Sequence, residues 1–275
     1  MHLKYFALVL VLTMGLLTSA QAREKSTPKS IPKKTVATVV PVVHSLLSQM
    51  LADTPIEITY LPPKRLPINR LANWVATHVT KKQPIISAVV GIDAMRPALS
   101  FYTALRKENI HIVAIDIAKA LLPSGEQVAI YQQDQQGYFW LNLNNSLMMA
   151  GILRRDLTAL WPKHTPQINK NAAKISQQLR QLAMQLDDIL FELNIEQLVV
   201  AQPALADFAV SFPLPIVTLK EATANGLTTL YITKRVVKKS TLSPNVTPWI
   251  IDDFSKVSAV NYSQRWLKSS SALKR

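Results

Sequence analysis

Residues 166–200 read PQINKNAAKISQQLRQLAMQLDDILFELNIEQLVV, and this stretch decides the architecture that we predict. Apolar side chains recur in it at alternating steps of four and three residues, which is the spacing of one face of an α-helix. The positions are Ile168, Ala172, Ile175, Leu179, Leu182, Leu186, Ile189 and Leu193. A helix of this length crosses a small domain from end to end, so we expect one long helix that joins two lobes.

A coiled coil is the other structure that such a stripe can form, because its apolar positions repeat every 3.5 residues. The stripe covers fewer than four heptads, and the strand-like run Leu198-Val199-Val200 follows it directly. We therefore favour a single helix between two lobes.

Strand patterns and helix patterns alternate on the N-terminal side of this helix. The strand patterns cover residues 35–40, 56–60, 85–91 and 110–115, and the helix patterns cover 42–52, 69–79, 97–107 and 144–160. This alternation predicts a parallel sheet with helices on both faces. Binding sites in such sheets lie beyond the carboxyl ends of the strands, so the loops after Val40, Tyr60 and Val90 should surround one mouth.

A second set of strand patterns follows the long helix, at residues 198–200, 215–219, 227–232 and 249–253, before a short helix at 261–267. The basic group Lys234, Arg235, Lys238 and Lys239 also lies on a strand-like segment. The predicted fold class is α/β, with two lobes of parallel sheets flanked by helices and joined by one long backbone helix. The predicted boundaries are 35–163 for the N-terminal α/β lobe, 164–193 for the linking helix and 194–275 for the C-terminal α/β lobe.

The first 22 residues have the pattern of a cleavable signal peptide. Lys4 precedes the apolar run 5–17, and Ala20 and Ala22 fit an A-x-A cleavage site. The run is shorter than the roughly 20 residues of a membrane span, so an uncleaved anchor is the less favoured alternative. Residues 23–34, REKSTPKSIPKK, are predicted to form a flexible basic tether. We expect a periplasmic protein.

The composition excludes several kinds of site and narrows the choice of binding partner. The chain has no cysteine, which excludes disulfides, zinc–thiolate sites and a lipid anchor on a cysteine at the cleavage site. Its formal net charge of +14 is typical of nucleic-acid binding, but the predicted compartment argues against that partner. An anionic membrane surface or an acidic protein is the better interpretation, and simple solubility is an equally good one.

Motifs for enzymatic chemistry are missing from the sequence. It contains neither a Gly-rich phosphate loop nor a G-x-S-x-G motif, and no two histidines have metal-binding spacing. We therefore predict that the protein is not an enzyme and has no certain cofactor. His44 is a candidate functional residue because it begins the helix after the first strand, near the predicted mouth.

Four segments together resemble the zinc/manganese-type periplasmic solute-binding proteins of bacterial ABC importers. They are residues 36–43, Val89-Val90-Gly91-Ile92-Asp93-Ala94-Met95, Tyr138-Phe139-Trp140-Leu141-Asn142 with Asn144-Asn145, and residues 162–193. The resemblance covers nearly all of the chain after residue 22. It implies two lobes joined by a rigid helix, with a metal ion held between them by three His and one acidic side chain.

The ligand positions that the resemblance implies are mostly changed in this chain. Ile68 and Tyr138 take the places of two of the histidines, no His stands near Gln202, and Asp252 or Asp253 can fill the acidic place. Lys64 and Arg65 near the mouth would repel a cation. The predicted ligand-binding cleft is Ile68, Tyr138, Asn142, Gln202, Asp253, His44 and Arg65. No metal site is predicted, and His44, Asp252 and Asp253 are the remaining candidate metal ligands.

The predicted function is that of a periplasmic solute-binding-like protein of a metal-type ABC import system whose usual metal site is degenerate. It would bind a different ligand or a metal complex and deliver it, as a monomer, to an inner-membrane ABC permease. The alternative is a non-transport envelope interaction protein that has lost ligand binding.

Overall fold

Two parallel four-stranded sheets form the computed structural model, which describes residues 34–78, 85–121, 125–131 and 137–274. The first sheet has the order β2-β1-β3-β4, with β1 (Thr35–Thr38), β2 (Glu57–Tyr60), β3 (Ala88–Gly91) and β4 (Val113–Asp116). The central strands β1 and β3 are buried along their whole length, which explains their continuous small and apolar composition.

The second sheet repeats this arrangement with the order β6-β5-β7-β8. Its strands are β5 (Gln197–Val200), β6 (Ile216–Val217), β7 (Thr229–Thr233) and β8 (Val246–Ile250), and all three pairings are parallel. The α/β class with two lobes is therefore confirmed.

Eight α-helices are assigned within the described residues. They are α1 (Pro41–Met50), α2 (Leu71–His78), α3 (Tyr102–Glu108), α4 (Leu143–Leu160), α5 (Thr165–Glu192), α6 (Ala206–Ala209), α7 (Leu219–Asn225) and α8 (Tyr262–Ser271).

Helix α5 is the long helix that the apolar stripe predicts. Its 28 residues extend for about 42 Å, and the stripe from Ile168 to Ile189 is buried. The last position of the predicted stripe is wrong, because Leu193 is 38% exposed while Leu190 is buried. The helix ends at Glu192 and the chain turns at Asn194, whose φ of 49° is in the left-handed region, so Leu193 no longer follows the helical period.

The C-terminal helix α8 connects the two lobes. It packs against both α1 and α5. The backbone N–H of Ser263 donates to Gln49 Oε1 at 2.9 Å, and the Tyr262 and Ser146 hydroxyls are 2.7 Å apart in the core. The last element of the second lobe is thus hydrogen-bonded to α1 and α4 of the first.

Three local predictions are wrong. The predicted strand 215–219 is only two residues long, because Thr218 and Glu221 form a reciprocal capping box that begins α7 at Leu219. The predicted helix 97–107 is a 3₁₀ turn at Pro97–Leu99 followed, after a break at Ser100, by α3. The strand-like basic group begins after β7 has ended, and the next element is a 3₁₀ turn at Lys239–Thr241.

The predicted signal peptide, 1–22, and the tether, 23–34, lie outside the described residues except for Lys34. Within the described part of the chain, no helix is both long enough and apolar enough to span a bilayer.

Candidate functional site

The side chain of Lys234 joins the two lobes at the carboxyl ends of the strands. Its ammonium group donates to the Tyr138 hydroxyl at 3.0 Å and lies 3.2 Å from Asp253 Oδ2. Tyr138 precedes α4 in the first lobe, whereas Lys234 and Asp253 follow β7 and β8 in the second. Two residues of the predicted cleft, Tyr138 and Asp253, are therefore brought together by a lysine.

The ring of Tyr138 is held by an aromatic and a basic neighbour. It stacks on Trp140 with ring centroids 4.9 Å apart, and the Arg96 guanidinium lies 5.1 Å from the Trp140 ring centroid and 5.8 Å from that of Tyr138. Arg96 Nη2 donates to the carbonyl of Gly137 at 2.8 Å, and the Tyr138 N–H donates to the carbonyl of Ala204 in the second lobe at 2.8 Å. These contacts fix the position of the Tyr138 hydroxyl.

Asp253 is presented by a strained turn after β8. Phe254 has φ of 53°, a conformation that bulky side chains rarely adopt and that costs about 1–3 kcal/mol. The backbone N–H of Phe254 donates to Asp252 Oδ1, and that of Ser255 donates to Asp253 Oδ1, each at 2.9 Å. The turn therefore leaves the second oxygen of Asp253 free to accept from Lys234.

The two aspartates act separately. Asp252 forms a bidentate ion pair with Arg265, at 2.7 Å to Nε and 2.5 Å to Nη2. Asp253 pairs with Lys234, and its backbone carbonyl accepts from the indole N–H of Trp140 at 3.0 Å. The two neighbouring carboxylates therefore have different partners and do not form one acid pair.

Gln202 positions the backbone that carries Lys234. Its carboxamide oxygen accepts from the Lys234 N–H at 3.2 Å, and its Nε2 lies 3.4 Å from the Thr233 hydroxyl. Gln202 follows β5, next to β7 in the sheet, so this side chain joins the ends of two neighbouring strands. It contacts the junction through the main chain of Lys234.

The Lys234 ammonium is stabilised where it lies. Burial acts to lower its pKa, but the hydrogen bond and charge interaction with Tyr138 and then those with Asp253 outweigh that effect, so the pKa of Lys234 is raised. The group is thus charged throughout the physiological pH range and supplies a fixed positive charge at the junction.

An open cavity of about 520 Å³ adjoins this junction in the second lobe. It is lined by basic, acidic and hydroxyl side chains that follow β7 and β8, among them Lys234, Arg235, Asp252, Asp253, Lys256 and Arg265. Both acidic side chains are engaged by basic ones within the lining, whereas Arg235 and Lys256 are exposed. The cavity is therefore polar with an excess of positive charge.

His44 lies at the carboxyl end of the first sheet, beside the end of β2. Its ring contacts that of Tyr60 edge to face, with centroids 5.5 Å apart. Within the described structure, His44 Nδ1 and the Tyr60 hydroxyl are buried without a hydrogen-bond partner. Burial, followed by the positive charge of Lys64, lowers the pKa of His44, and burial raises the pKa of Tyr60. Arg65, the next residue after Lys64, is exposed.

Two other residues of the predicted cleft have structural contacts. Ile68 is 6% exposed and belongs to the hydrophobic core of the first lobe. Asn142 is the N-cap of α4, and its side-chain oxygen accepts from the N–H groups of Asn144 and Asn145. Among the described residues, neither side chain is hydrogen-bonded to the Lys234 junction.

The donors at the junction do not fit a divalent transition metal. Zinc sites use about four His, Cys or carboxylate ligands. In residues 34–78, 85–121, 125–131 and 137–274, no group of three or more His, Cys, Asp or Glu side chains is placed to hold a metal ion. The junction offers a single carboxylate, a phenol and an ammonium group, and the ammonium repels a second cation.

Lys234 and Arg96 are the two site residues that sequence reasoning missed. The sequence pattern places Lys234 on a strand-like basic segment, whereas in the structure it is the first residue after β7. The available signal was its position directly after the alternating run 229–233, where the parallel-sheet rule places binding residues. For Arg96 the signal was weaker, because it lies in the loop after β3, which is also expected at the mouth, but not directly after the strand.

Comparison with solved structures shows the same fold at low identity. A crystal structure of ZnuA superposes with a TM-score of 0.57 at 19% identity, covering 88% of this chain and 97% of that one. The Zn(II)-bound ZnuA-like domain of Streptococcus pneumoniae AdcA gives 0.63 at 16% identity, covering 88% and 97%. The solute-binding protein FpvC from Pseudomonas aeruginosa, in complex with Mn²⁺, gives 0.56 at 13% identity, covering 88% and 96%.

Comparison by sequence gives the family. No curated protein matches the chain significantly. The family model described as ZnuA, zinc-uptake complex component A, periplasmic, matches residues 77–240, which is more than half of the chain. The resemblance stated from the motifs is confirmed, and the chain belongs to the ZnuA family of periplasmic zinc-uptake components.

Proposed function

We propose that the protein is a periplasmic solute-binding protein of a metal-type ABC import system that carries an anionic small solute, such as a chelated metal, to an inner-membrane permease. The observation that carries this proposal is the position of the Lys234 ammonium between Tyr138 and Asp253. The Lys234 ammonium group then takes the place of a bound metal ion. The protein is a carrier and not an enzyme.

The charge of Lys234 argues against a bare metal ion as the ligand. An ion bound to Asp253 Oδ2 would lie only a few ångströms from an ammonium group that itself lies 3.2 Å from that oxygen. At such a distance, two like charges near a protein surface repel by several kcal/mol. The other junction side chain, Tyr138, already accepts a hydrogen bond from Lys234.

The neighbouring cavity supports an anionic ligand. Its volume of about 520 Å³ is within the range of about 300–1,000 Å³ that small-molecule sites occupy. Exposed Arg235 and Lys256 can donate to carboxylate or phosphate oxygens, and the hydroxyls of Ser255 and Ser258 line the same space. The solute would therefore bind beside Lys234, at the carboxyl ends of β7 and β8.

A second candidate function is an envelope interaction protein that binds no solute. The direct hydrogen bonds between the lobes favour it, because Tyr138 to Ala204, Trp140 to Asp253 and Ser146 to Tyr262 join the lobes through groups of the protein itself. A protein held together in this way has no need of a solute to bring its lobes into contact.

Thermal unfolding of the purified protein distinguishes these functions. The additions are Zn²⁺, Mn²⁺, citrate, inorganic phosphate and ferric citrate, each tested alone. A ligand at 100 times its dissociation constant stabilises the folded state by about 2.7 kcal/mol. We expect a higher melting temperature with at least one of the anions and no change with the bare ions.

Matched variants assign the effect to the cavity. Arg235→Ser with Lys256→Ser should abolish the anion-dependent shift, whereas Lys174→Ser, on the exposed face of α5, should leave it unchanged. No shift with any addition would favour the interaction protein. A shift with Zn²⁺ that Asp253→Asn removes would overturn the proposal in favour of an ordinary metal cargo.

A further inference from the structure

A second open cavity, of about 630 Å³, lies at the far end of the second lobe from Lys234. Leu190, Phe191, Ile195, Pro213 and Leu214 form its apolar lining, and we call this set the Phe191 surface. Glu196 and Thr228, which also line the cavity, directly precede β5 and β7. The surface is therefore at the amino ends of the strands, whereas the Lys234 junction is at their carboxyl ends.

The Phe191 surface combines the exposed side chains of Phe191 and Pro213 with a buried apolar floor formed by Leu190 and Ile195. Phe191, in the last turn of α5, is 83% exposed. Leu227, next to Thr228 of the cavity lining, is 40% exposed. An exposed aromatic side chain beside a concave apolar site is typical of surfaces that bind another protein.

The charge around this surface is opposite to that of the rest of the chain. Residues 181–219 contain no Lys or Arg, although the chain has 31 of them against 17 acidic residues. Four exposed acidic side chains lie within ten residues around Phe191: Asp187, Asp188, Glu192 and Glu196. Acidic residues around an apolar groove favour a basic partner and disfavour an anionic membrane surface.

We propose that the Phe191 surface docks a basic segment of a partner protein, which places an apolar side chain beside Phe191 between the Asp187 and Glu196 carboxylates. The apolar lining would provide the contact area, and the acidic residues would select the charge of the partner. This interaction is independent of the solute proposed for the other end of the lobe.

Fluorescence anisotropy with three short synthetic peptides of equal length tests this proposal. One alternates Lys with Leu, the second alternates Glu with Leu, and the third alternates Lys with Ser. We expect only the Lys–Leu peptide to bind, with an affinity that falls as salt is added. Phe191→Ser should weaken it by about ten-fold or more, as expected for a central aromatic contact. Asp187→Asn with Glu196→Gln should weaken it and reduce the salt dependence.

Met184→Ser is the matched control, because Met184 is 63% exposed on the same helix and does not line the cavity. It should bind the Lys–Leu peptide like the unmodified protein. Binding of no peptide, equal binding of the Glu–Leu peptide, or an unchanged affinity in Phe191→Ser would each overturn the proposal. Sedimentation of the protein alone would also overturn it if self-association were found and were lost in Phe191→Ser, since a second copy would then be the partner.

Discussion

The ammonium group of Lys234 lies 3.2 Å from the carboxylate of Asp253, at the place where the two lobes meet. Both side chains are largely buried, with 25% and 14% of their surface exposed. A charge pair in this environment is screened less than one on the surface, so the loss of either partner should be felt in the stability of the fold.

Removal of the Lys234 ammonium should therefore destabilise the protein. Lys234→Met leaves the Asp253 carboxylate without its cation and the Tyr138 hydroxyl without its donor. We expect a loss of about 1–3 kcal/mol in the free energy of unfolding, between the values typical of exposed and fully buried pairs. Urea unfolding measures this loss.

Two further variants separate the ion pair from general effects. Lys238→Met removes an exposed lysine nearby in the sequence and should change the unfolding midpoint little. Combining Lys234→Met with Asp253→Asn should cost less than the two single losses added together, because the two groups interact directly. Strict additivity would show that the pair contributes nothing to stability.

Asn142 can be tested for two roles, as the N-cap of α4 and as a residue that lines the ligand-binding cleft. Its side-chain oxygen is 2.9 Å from the Asn144 N–H and 3.4 Å from the Asn145 N–H, so it caps α4. Asn142→Ala should lower the free energy of unfolding by about 1 kcal/mol, whereas Asn142→Ser, which retains a capping oxygen, should lower it much less. If Asn142→Ala left stability unchanged but weakened solute binding, a place in the cleft would be the correct role.

The partly buried His44 should make stability depend on pH. Its pKa is lowered in the folded state, first by burial and then by Lys64, so the unfolded chain takes up the proton at a higher pH. Well above pH 6.5, the usual pKa of histidine, the group is neutral in both states and does not affect folding. As the pH falls below that value, the unfolded chain binds the proton first, so the free energy of unfolding decreases. We expect the melting temperature to fall less steeply on acidification in His44→Gln than in the unmodified protein.

His111→Gln is the control for this pH dependence, because His111 is exposed before β4. It should leave the dependence of the melting temperature on pH unchanged. If His44→Gln and the unmodified protein had the same pH dependence between pH 7 and pH 5, protonation of His44 would not oppose folding.

The long helix and both sheets could be predicted because their signals are local and periodic. The stripe from Ile168 to Ile189 recurs at the helical period over many turns, and the runs that contain β1 and β3 consist mainly of β-branched and small apolar residues. Boundaries were less predictable where a side chain caps the backbone. The hydrogen bonds between Thr218 and Glu221 begin α7 within the segment that was predicted to be a strand. Hydrophobic periodicity does not detect such side-chain hydrogen bonds.

The candidate site was only half predictable. Tyr138 and Asp253 were found through motif positions, which give the location of a side chain but not its partner. Lys234 follows Tyr138 by 96 residues in the chain, so no pattern within a single element could connect them. The same limit explains Ile68, whose motif position suggested the cleft but whose side chain lies in the hydrophobic core.

The turn that presents Asp253 provides the last prediction. Phe254 has φ of 53° and is completely buried, packed against Tyr262 and Trp266 with ring centroids 5.0 Å and 5.2 Å away. Phe254→Ala and Phe254→Gly should both lose about 3–5 kcal/mol of packing. Glycine relieves the backbone strain, so Phe254→Gly should be the more stable of the two by about 1 kcal/mol. Phe208 is the control position, because it is equally buried but lies in α6 with ordinary backbone angles. There the order should reverse, since glycine is the poorer residue in a helix.

Urea unfolding of the four variants measures both differences. If alanine were the more stable residue at position 254 as well, the Phe254 backbone would not be strained and Asp253 would be oriented by its hydrogen bonds alone.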